Sequence, residues 1–159
     1  MRLSIQETSL GPQTFHDTWR LPQQAGLEGL NLCYGCKTDI VALNNLDYPI
    51  QIENMANRHE VAVSGMHLGY LSQIPFLVGE ANNREEGKRI VRRALKVAGR
   101  IGAPTVIVPL DGPNSIRGPQ HQEAVISFLQ GLAEDAQRAR VSIAVEGPLG
   151  YEQVRDLLT

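Results

Sequence analysis

The alternation of apolar and polar residues divides the chain into short strand-like runs separated by longer helical ones. Runs rich in β-branched residues predict strands at residues 2–6, 27–32, 60–66, 104–110 and 141–145. Three- and four-residue spacing predicts helices near residues 15–25, 49–59, 84–101 and 119–138, and from 151 onward. Strands that alternate with helices predict an α/β fold with a parallel sheet and right-handed crossovers.

The clearest helix is the one predicted over residues 84–101. Its apolar stripe consists of Ile90, Val91, Ala94, Leu95, Val97, Ala98 and Ile101. The opposite side is basic, with Lys88, Arg89, Arg92, Arg93, Lys96 and Arg100. Because these charges lie opposite the apolar stripe, we expect a solvated face rather than a nucleic-acid-binding patch. Gly102 follows as the residue that ends the helix.

The predicted strands recur at intervals of about 35 residues. Eight such units would need about 280 residues, the usual size of a (β/α)₈ barrel, and five fit in 159 residues. The fourth strand is apolar throughout, which is typical of a parallel strand buried on both faces. Two architectures remain open at this point: a five-stranded doubly wound sheet, or the first five units of a barrel.

Composition narrows the class of protein further. Apolar residues make up 42% of the chain and charged residues 20%, which excludes wholesale disorder and predicts a single domain over residues 1–159. The net charge of −2 gives no global field for nucleic acid or acidic lipid, and no apolar run is long enough for a membrane span. No signal-peptide pattern is present, so we expect a cytoplasmic protein.

Three stretches resemble a known family. They are AGLEGLNL (25–32), REEGKRIVRRALKVAGRIGAPTVIVPLDG (84–112) and LAEDAQRARVSIAVEGPLG (132–150). In order and spacing they are similar to the second, fourth and fifth strands, with adjoining helices, of the sugar phosphate isomerase/epimerase group. These are xylose isomerase-like barrels, and endonuclease IV is a relative.

The resemblance implies a TIM barrel, of which this chain is the N-terminal portion. It also implies a divalent metal ion (Mn, Mg, Co or Zn) at the carboxyl ends of the strands. Of the family's metal ligands only the one on strand five falls within this chain, where it matches Glu146, so the metal site is incomplete here. Asn31 stands where many members have an acidic residue, and Pro109 stands where many have a histidine. The second departure weighs against the endonuclease branch.

Polar residues at the ends of three predicted strands are the candidates for chemistry. Glu146 follows an apolar strand, where a carboxylate can bind a hard divalent ion and move a proton next to a carbonyl. We therefore predict that Glu146 is the catalytic residue and a metal ligand. The alternative is that Glu146 only forms a salt bridge at the end of the sheet. His67 and Asp111 are predicted to bind substrate, although a solvated loop histidine and ordinary turn chemistry in DGPN are the alternatives.

The remaining cysteines and histidines receive no role from the sequence. Cys33 and Cys36 form a C-Y-G-C segment, yet no second cysteine pair completes a zinc site, and the flanks differ from a thioredoxin-like motif. We expect an ordinary loop there. The other histidines, at loop or helix-start positions, are His16, His59 and His121.

The expected function is a metal-dependent sugar or sugar-phosphate isomerase/epimerase acting on a small-molecule sugar. Two alternatives stay open: a non-catalytic half-barrel that needs a partner, and an endonuclease IV-like DNA repair enzyme. The first and fifth strands are expected to be unpaired edges, so we also expect self-association through the sheet edges. Neither a membrane nor a nucleic acid is expected as a partner.

Overall fold

A five-stranded parallel sheet organises the chain. The computed structural model describes residues 3–11, 14–148, 150 and 155. The strands are β1 Ser4–Gln6, β2 Gly29–Cys33, β3 Ala62–His67, β4 Thr105–Pro109 and β5 Ser142–Glu146. They lie in sequence order and every neighbouring pair is parallel, as the sequence predicts. Within the described residues, β1 and β5 each pair with one strand only.

Helices connect the strands and cover one face of the sheet. They are α1 Asp17–Gln24, α2 Lys37–Ala42, α3 Tyr48–His59, α4 Ala81–Ile101, α5 Pro119–Gln130 and α6 Ala133–Ala139. Short 3₁₀ turns follow three strands, at Glu7–Leu10, Gly69–Gln73 and Gly112–Asn114. The helix predicted from residue 151 onward lies outside the described residues, apart from Arg155.

Two predicted elements need correction. The segment after β2, where an ordinary loop is expected around Cys33 and Cys36, contains the six-residue helix α2. The single helix expected over 119–138 is broken into α5 and α6 at Gly131 and Leu132. Glycine is a poor helix former, and Leu132 is buried beside it. The Arg92 guanidinium of α4 donates to the Gly131 carbonyl at 3.4 Å, which gives that carbonyl a partner at the break.

The helix α4 packs as its pattern predicts. Its apolar stripe is buried in the core, with Leu95, Val91 and Ala94 inaccessible to solvent. Gly102 follows in the left-handed conformation, with φ of 72°, and its backbone N–H donates to Ala98. A residue without a Cβ adopts that conformation at little cost, so the helix ends there.

The two faces of the sheet differ in chemistry. On β4, Val106 and Val108 are fully buried against the helices, whereas Thr105 and Ile107 are only half-buried. On the side away from the helices Pro109 is buried, so the expectation that this strand is buried on both faces holds there and fails at Thr105 and Ile107. We call the face away from the helices the inner face. Strand pairing and alternation assign to it Gln6, Asn31, Cys33, Gly65, His67, Ile107, Pro109, Ala144 and Glu146.

A one-residue shift in β3 determines which of its side chains reach the inner face. Leu30 pairs with Val63, but the next residue of β2, Asn31, pairs with Gly65, so Ser64 is an extra residue. Such a bulge reverses the alternation of the strand beyond it. Met66 therefore joins Val63 on the helix side, where it is fully buried, and His67 lies on the inner face.

The basic side of α4 is partly neutralised by acidic neighbours. Arg92 pairs with Asp135 of α6 at 2.9 Å, and Arg89 pairs with Glu86 at 2.7 Å. Arg100 lies 3.9 Å from Glu53 of α3. These contacts join α4 to its neighbours and lower the net positive charge of this face.

His59 differs from its expected loop or helix-start setting. It is the last residue of α3 and is buried, with Nδ1 at 2.7 Å from the Gln23 side-chain oxygen of α1. The contact joins two helices and lies next to the amino end of β3.

No helix among the described residues combines the length and the apolar character needed to cross a bilayer.

Two substitutions on α4 test the packing. Leu95→Asp would place an unpaired charge in the core and should lower the free energy of unfolding by about 4 kcal/mol or more. Arg93→Asp alters an exposed position and should change it by no more than about 0.5 kcal/mol. Thermal melts of both variants measure the difference, and equal losses would show that the stripe is wrongly placed.

Candidate functional site

An imidazole and a carboxylate meet at the carboxyl end of the sheet. The Nε2 atom of His67 lies 3.2 Å from Oε2 of Glu146. His67 is the last residue of β3, and Glu146 is the last residue of β5. The His67 side chain is 13% exposed and that of Glu146 is 62% exposed. The pair is thus anchored on the protein side and open to solvent at the carboxylate.

The intervening strand allows this contact. On the inner face β4 presents Ile107, which pairs with His67, and Pro109, which pairs with Glu146. Neither residue has a polar side chain, so nothing on β4 competes for the imidazole or the carboxylate. The Leu110 N–H donates to the Glu146 carbonyl at 2.6 Å and aligns the two strand ends.

The chain passes close to β4 directly after Glu146. A Cβ on Gly147 would lie 2.7 Å from the Leu110 carbonyl oxygen, nearer than side chains tolerate. Glycine at this position therefore lets the backbone after β5 lie against the end of β4.

Two further polar residues extend the site along the strand ends. The Cys33 sulfur lies 3.6 Å from Nδ1 of His67, and the two residues pair in the β2–β3 register. The Cys33 backbone N–H donates to Oε2 of Glu7 at 2.8 Å. Glu7 directly follows β1, so a residue at or just after the end of each of the strands β1, β2, β3 and β5 lies at the carboxyl end of the sheet. The expectation of an ordinary loop at Cys33 is wrong, since Cys33 ends β2.

The surroundings at this end of the sheet raise the pKa of two of these groups. Burial, followed by repulsion from Asp39, raises the pKa of the Glu7 carboxyl, and hydrogen bonds from Cys33 and Thr18 oppose that rise only in part. Burial, followed by the negative charges of Glu7, Asp39 and Glu146, raises the pKa of the Cys33 thiol, and a hydrogen bond with the Gln6 side chain opposes that rise only in part. The thiol is therefore held in its neutral form.

Asp111 lies at the same end of the sheet, two residues beyond β4, but makes no described contact with His67 or Glu146. Its carbonyl accepts a hydrogen bond from the Asn114 N–H at 2.8 Å, and it begins the 3₁₀ turn Gly112–Asn114. The carboxylate belongs to an exposed residue. Its role in substrate binding stays a prediction.

Asn114 holds together two loops at this end of the sheet. Its side chain is completely buried and accepts hydrogen bonds from the N–H groups of Phe76 and Leu77. The amide nitrogen donates to the carbonyls of Leu71 and Ile74 at 2.9 and 2.8 Å. The loop after β3 is thereby fixed to the turn after β4, close to His67.

The donor set fits part of a metal site. A carboxylate is a ligand for hard divalent ions, and an imidazole suits borderline ones. Among the described residues, however, no three histidine, cysteine, aspartate or glutamate side chains are arranged to hold a metal ion. A divalent ion at Glu146 would need ligands beyond those described.

A cavity of about 790 Å³ opens at the opposite, amino end of the sheet, around Ser4, Gly29 and Ala62. Of the described residues that line it, Glu28 and Glu60 are ionisable, and none is a predicted site residue. The cavity lies at the amino end of the sheet, whereas the His67–Glu146 contact lies at the carboxyl end. We place the candidate site at the carboxyl end, where these reactive side chains meet.

Glu7 and Cys33 are not among the predicted site residues. Each is a polar residue at the end of a strand, the same signal that singles out His67 and Glu146. The predicted second strand ends at residue 32, one residue before Cys33, which hides the signal there. Glu7 directly follows the predicted first strand, so the same signal identifies it.

Comparison of the sequence with family models and with curated proteins finds no match. Solved structures do match. The 3-keto-D-glucoside 4-epimerase of E. coli superposes with a TM-score of 0.70 at 15% identity, over 91% of this chain and 55% of that one. D-psicose 3-epimerase in the presence of D-fructose gives 0.74 at 14% identity, over 99% and 60%. The IolI protein with a bound zinc atom gives 0.76 at 14% identity, over 99% and 58%.

These similarities show the fold. The strand order and the superpositions confirm the expected fold class: a five-stranded parallel α/β sheet that matches part of a TIM barrel. The chain spans 55–60% of the length of the three structures compared above.

Replacing Glu7 tests the electrostatics of the strand ends. Since the pKa of Glu7 is raised in the folded chain, its contribution to stability is complete below about pH 4.5 and is lost as pH rises through the raised value. Glu7→Gln removes that loss and keeps an acceptor for the Cys33 N–H. The melting temperature of the variant minus that of the wild type should therefore become more positive between pH 4 and 7, by about 2 °C or more.

The matched control is Glu60→Gln, an exposed position before the amino end of β3. Its melting-temperature difference should stay constant across the same pH range. A Glu7→Gln difference that is flat or falls with pH would contradict the assignment.

Proposed function

We propose that this chain forms the part of a sugar or sugar-phosphate isomerase/epimerase that carries the Glu146 carboxylate. The contact between His67 and Glu146 at the carboxyl end of a barrel sheet is the observation that supports it most. In barrels of this architecture, the carboxyl ends of the strands carry the chemistry. The similar structures include sugar epimerases, which supports the same kind of reaction here.

Glu146 has the central role in this proposal. Its exposed carboxylate acts as metal ligand and as the group that takes a proton from the carbon next to a carbonyl and returns it. The proton that His67 shares with the carboxylate steadies its negative charge and fixes its orientation. His67 and Asp111 hold substrate hydroxyl groups.

A divalent ion, when bound, would stabilise the negative charge that develops on the substrate oxygen. One of the similar proteins holds a zinc atom, which supports a metal in this fold. Because the described residues contain no three-ligand group, we place the remaining ligands on a segment that pairs with β5. The identity of the metal is not part of the proposal, and a cytoplasmic location stays an expectation.

A second function class has a specific observation in its favour. The described residues contain no group of three metal ligands. A non-catalytic half-barrel that binds a partner would have the same property. The two proposals differ in whether this chain exchanges substrate protons at all.

Hydrogen exchange tests the reaction. The chain is incubated with D-fructose and excess Mn²⁺ in D₂O, and loss of the carbon-bound hydrogen next to the carbonyl is followed by proton NMR. We expect slow exchange that Glu146→Gln lowers by about 100-fold, since general base catalysis contributes at least that factor. Glu60→Gln, an exposed glutamate beyond the other end of the sheet, should leave the rate unchanged.

Exchange that survives Glu146→Gln would overturn the role of this carboxylate. No exchange by the wild type at saturating Mn²⁺ would favour the non-catalytic half-barrel.

Metal affinity is expected to be low. One carboxylate beside one imidazole does not define a coordination geometry, so titration calorimetry with Mn²⁺ should give a Kd on the order of 1 mM. Tight one-to-one binding would show that the described residues complete a metal site, contrary to this account.

The sheet edges predict self-association. The outer sides of β1 and β5 have no strand partner among the described residues, and such edges template pairing with another chain. Light scattering should show an average molecular mass that exceeds the monomer mass and increases with protein concentration. A monomer at all concentrations would mean that both edges are protected.

A further inference from the structure

Both ring nitrogens of His67 have a polar neighbour. Nε2 lies 3.2 Å from a Glu146 carboxylate oxygen, and Nδ1 lies 3.6 Å from the Cys33 sulfur. A carboxylate can only accept a hydrogen bond, so Nε2 must carry a proton for this contact to be favourable. In a neutral imidazole Nδ1 then has no proton and must accept. The group that faces Nδ1 is a thiol, whose S–H is a donor.

The surroundings of the sulfur keep that hydrogen on it. The titratable and charged groups that act on Cys33 are the carboxylates of Glu7, Asp39 and Glu146, with His67 in direct contact. Partial burial and the three negative charges disfavour a thiolate, and a hydrogen bond with the Gln6 side chain opposes them only in part. A thiol prepared for nucleophilic attack would have cationic neighbours instead.

The backbone on both sides of the contact is fixed. The Cys33 N–H is bound to Glu7 at 2.8 Å, which holds the end of β2 in place. Across the ring, a Cβ on Gly69 would lie 3.4 Å from Nδ1 of His67, so the turn after β3 packs closely beside the imidazole. The backbone segments that carry the sulfur and the imidazole are therefore held by contacts other than the one between Cys33 and His67.

We propose that Cys33 is a positioning residue for His67: its S–H donates to Nδ1 and holds the neutral imidazole in the tautomer whose proton lies on Nε2 and points at Glu146. This inference rests on the proposed function, in which His67 orients the Glu146 carboxylate and holds a substrate hydroxyl. Cys33 itself touches no reacting atom. Its contribution is to keep the imidazole proton directed toward the carboxylate when no substrate is present.

Nitrogen NMR of the imidazole tests the hydrogen bond directly. Spectra of the ¹⁵N-labelled chain, recorded at mildly alkaline pH where an imidazole is neutral, report which ring nitrogen carries the proton. We expect Nε2 of His67 to be protonated and Nδ1 to show the upfield displacement of a nitrogen that accepts a hydrogen bond. In Cys33→Ala the Nδ1 signal should move downfield by several ppm, whereas Cys33→Ser, which retains a donor, should restore most of the displacement.

The matched control is Cys36→Ser. Cys36 is an exposed thiol three residues along, whose sulfur contacts the Thr38 hydroxyl at 2.9 Å, and its loss should leave the His67 signals unchanged. A proton on Nδ1 in the wild type, or identical Nδ1 shifts in the wild type and Cys33→Ala, would overturn the proposal.

A second measurement uses the wild-type chain and so does not depend on whether any variant folds. Iodoacetamide reacts with thiolates, and its rates with Cys33 and Cys36 are followed separately by mass spectrometry after cleavage at Tyr34, which lies between the two thiols. At neutral pH Cys33 should react at least tenfold more slowly than Cys36. Faster reaction of Cys33 would identify a nucleophilic thiolate and contradict its role as a donor.

Neither measurement contains metal or sugar. If the proposed function fails, Glu146-dependent exchange of sugar protons is lost while these spectra stay as expected. If only the role of Cys33 fails, the ¹⁵N spectra of His67 differ from those expected, while the Glu146-dependent exchange of sugar protons is still observed.

Discussion

The bulge at Ser64 in β3 brings His67 to the inner face of the sheet. If Ser64 instead paired regularly, strict alternation from Val63 would direct His67 toward the helices and Met66 toward the inner face. The shift in register reverses that order, so the large apolar side chain enters the core and the imidazole reaches Glu146. Bulges of this kind occur next to active sites because they redirect a side chain without changing the rest of the sheet.

The site also depends on the difference between the two faces of the sheet. Leu30, Leu32, Val106 and Val108 are buried beneath the helices and hold the strands in place. The inner face, in contrast, is small or polar at nearly every position, which leaves room for side chains to meet across β4. Asn114 adds rigidity at the carboxyl end, since four buried hydrogen bonds join the loops after β3 and β4. A rigid base thus supports an exposed carboxylate.

The sequence predicts most of the fold because its strongest patterns arise from burial against a single layer of helices. The stripe of α4, its end at Gly102 and the parallel order of the strands all follow from spacing and residue type. The break at Gly131 was missed because the apolar positions on both sides keep a helical spacing.

The site was less predictable for physical reasons. An apolar strand such as β4 looks the same whether one face or both faces are covered. The direction of His67 depends on a register shift that a single sequence does not reveal, although its place at a strand end does follow from the pattern. The contact between Cys33 and His67 arises from pairing between two strands that lie 34 residues apart in sequence. No local motif records such a pairing.

The central claim is that Glu146 holds a divalent ion beside His67. Paramagnetic broadening by Mn²⁺ measures this directly, because the effect falls steeply with distance. His59 lies before the amino end of β3 and His67 is its last residue, so this six-residue strand, roughly 20 Å long, lies between the two rings. At Mn²⁺ concentrations well below that of the protein, the ring-proton signals of His67 should broaden before those of His59, and Glu146→Gln should abolish the difference. Equal broadening of both rings, or selective broadening of His67 that survives Glu146→Gln, would contradict the account.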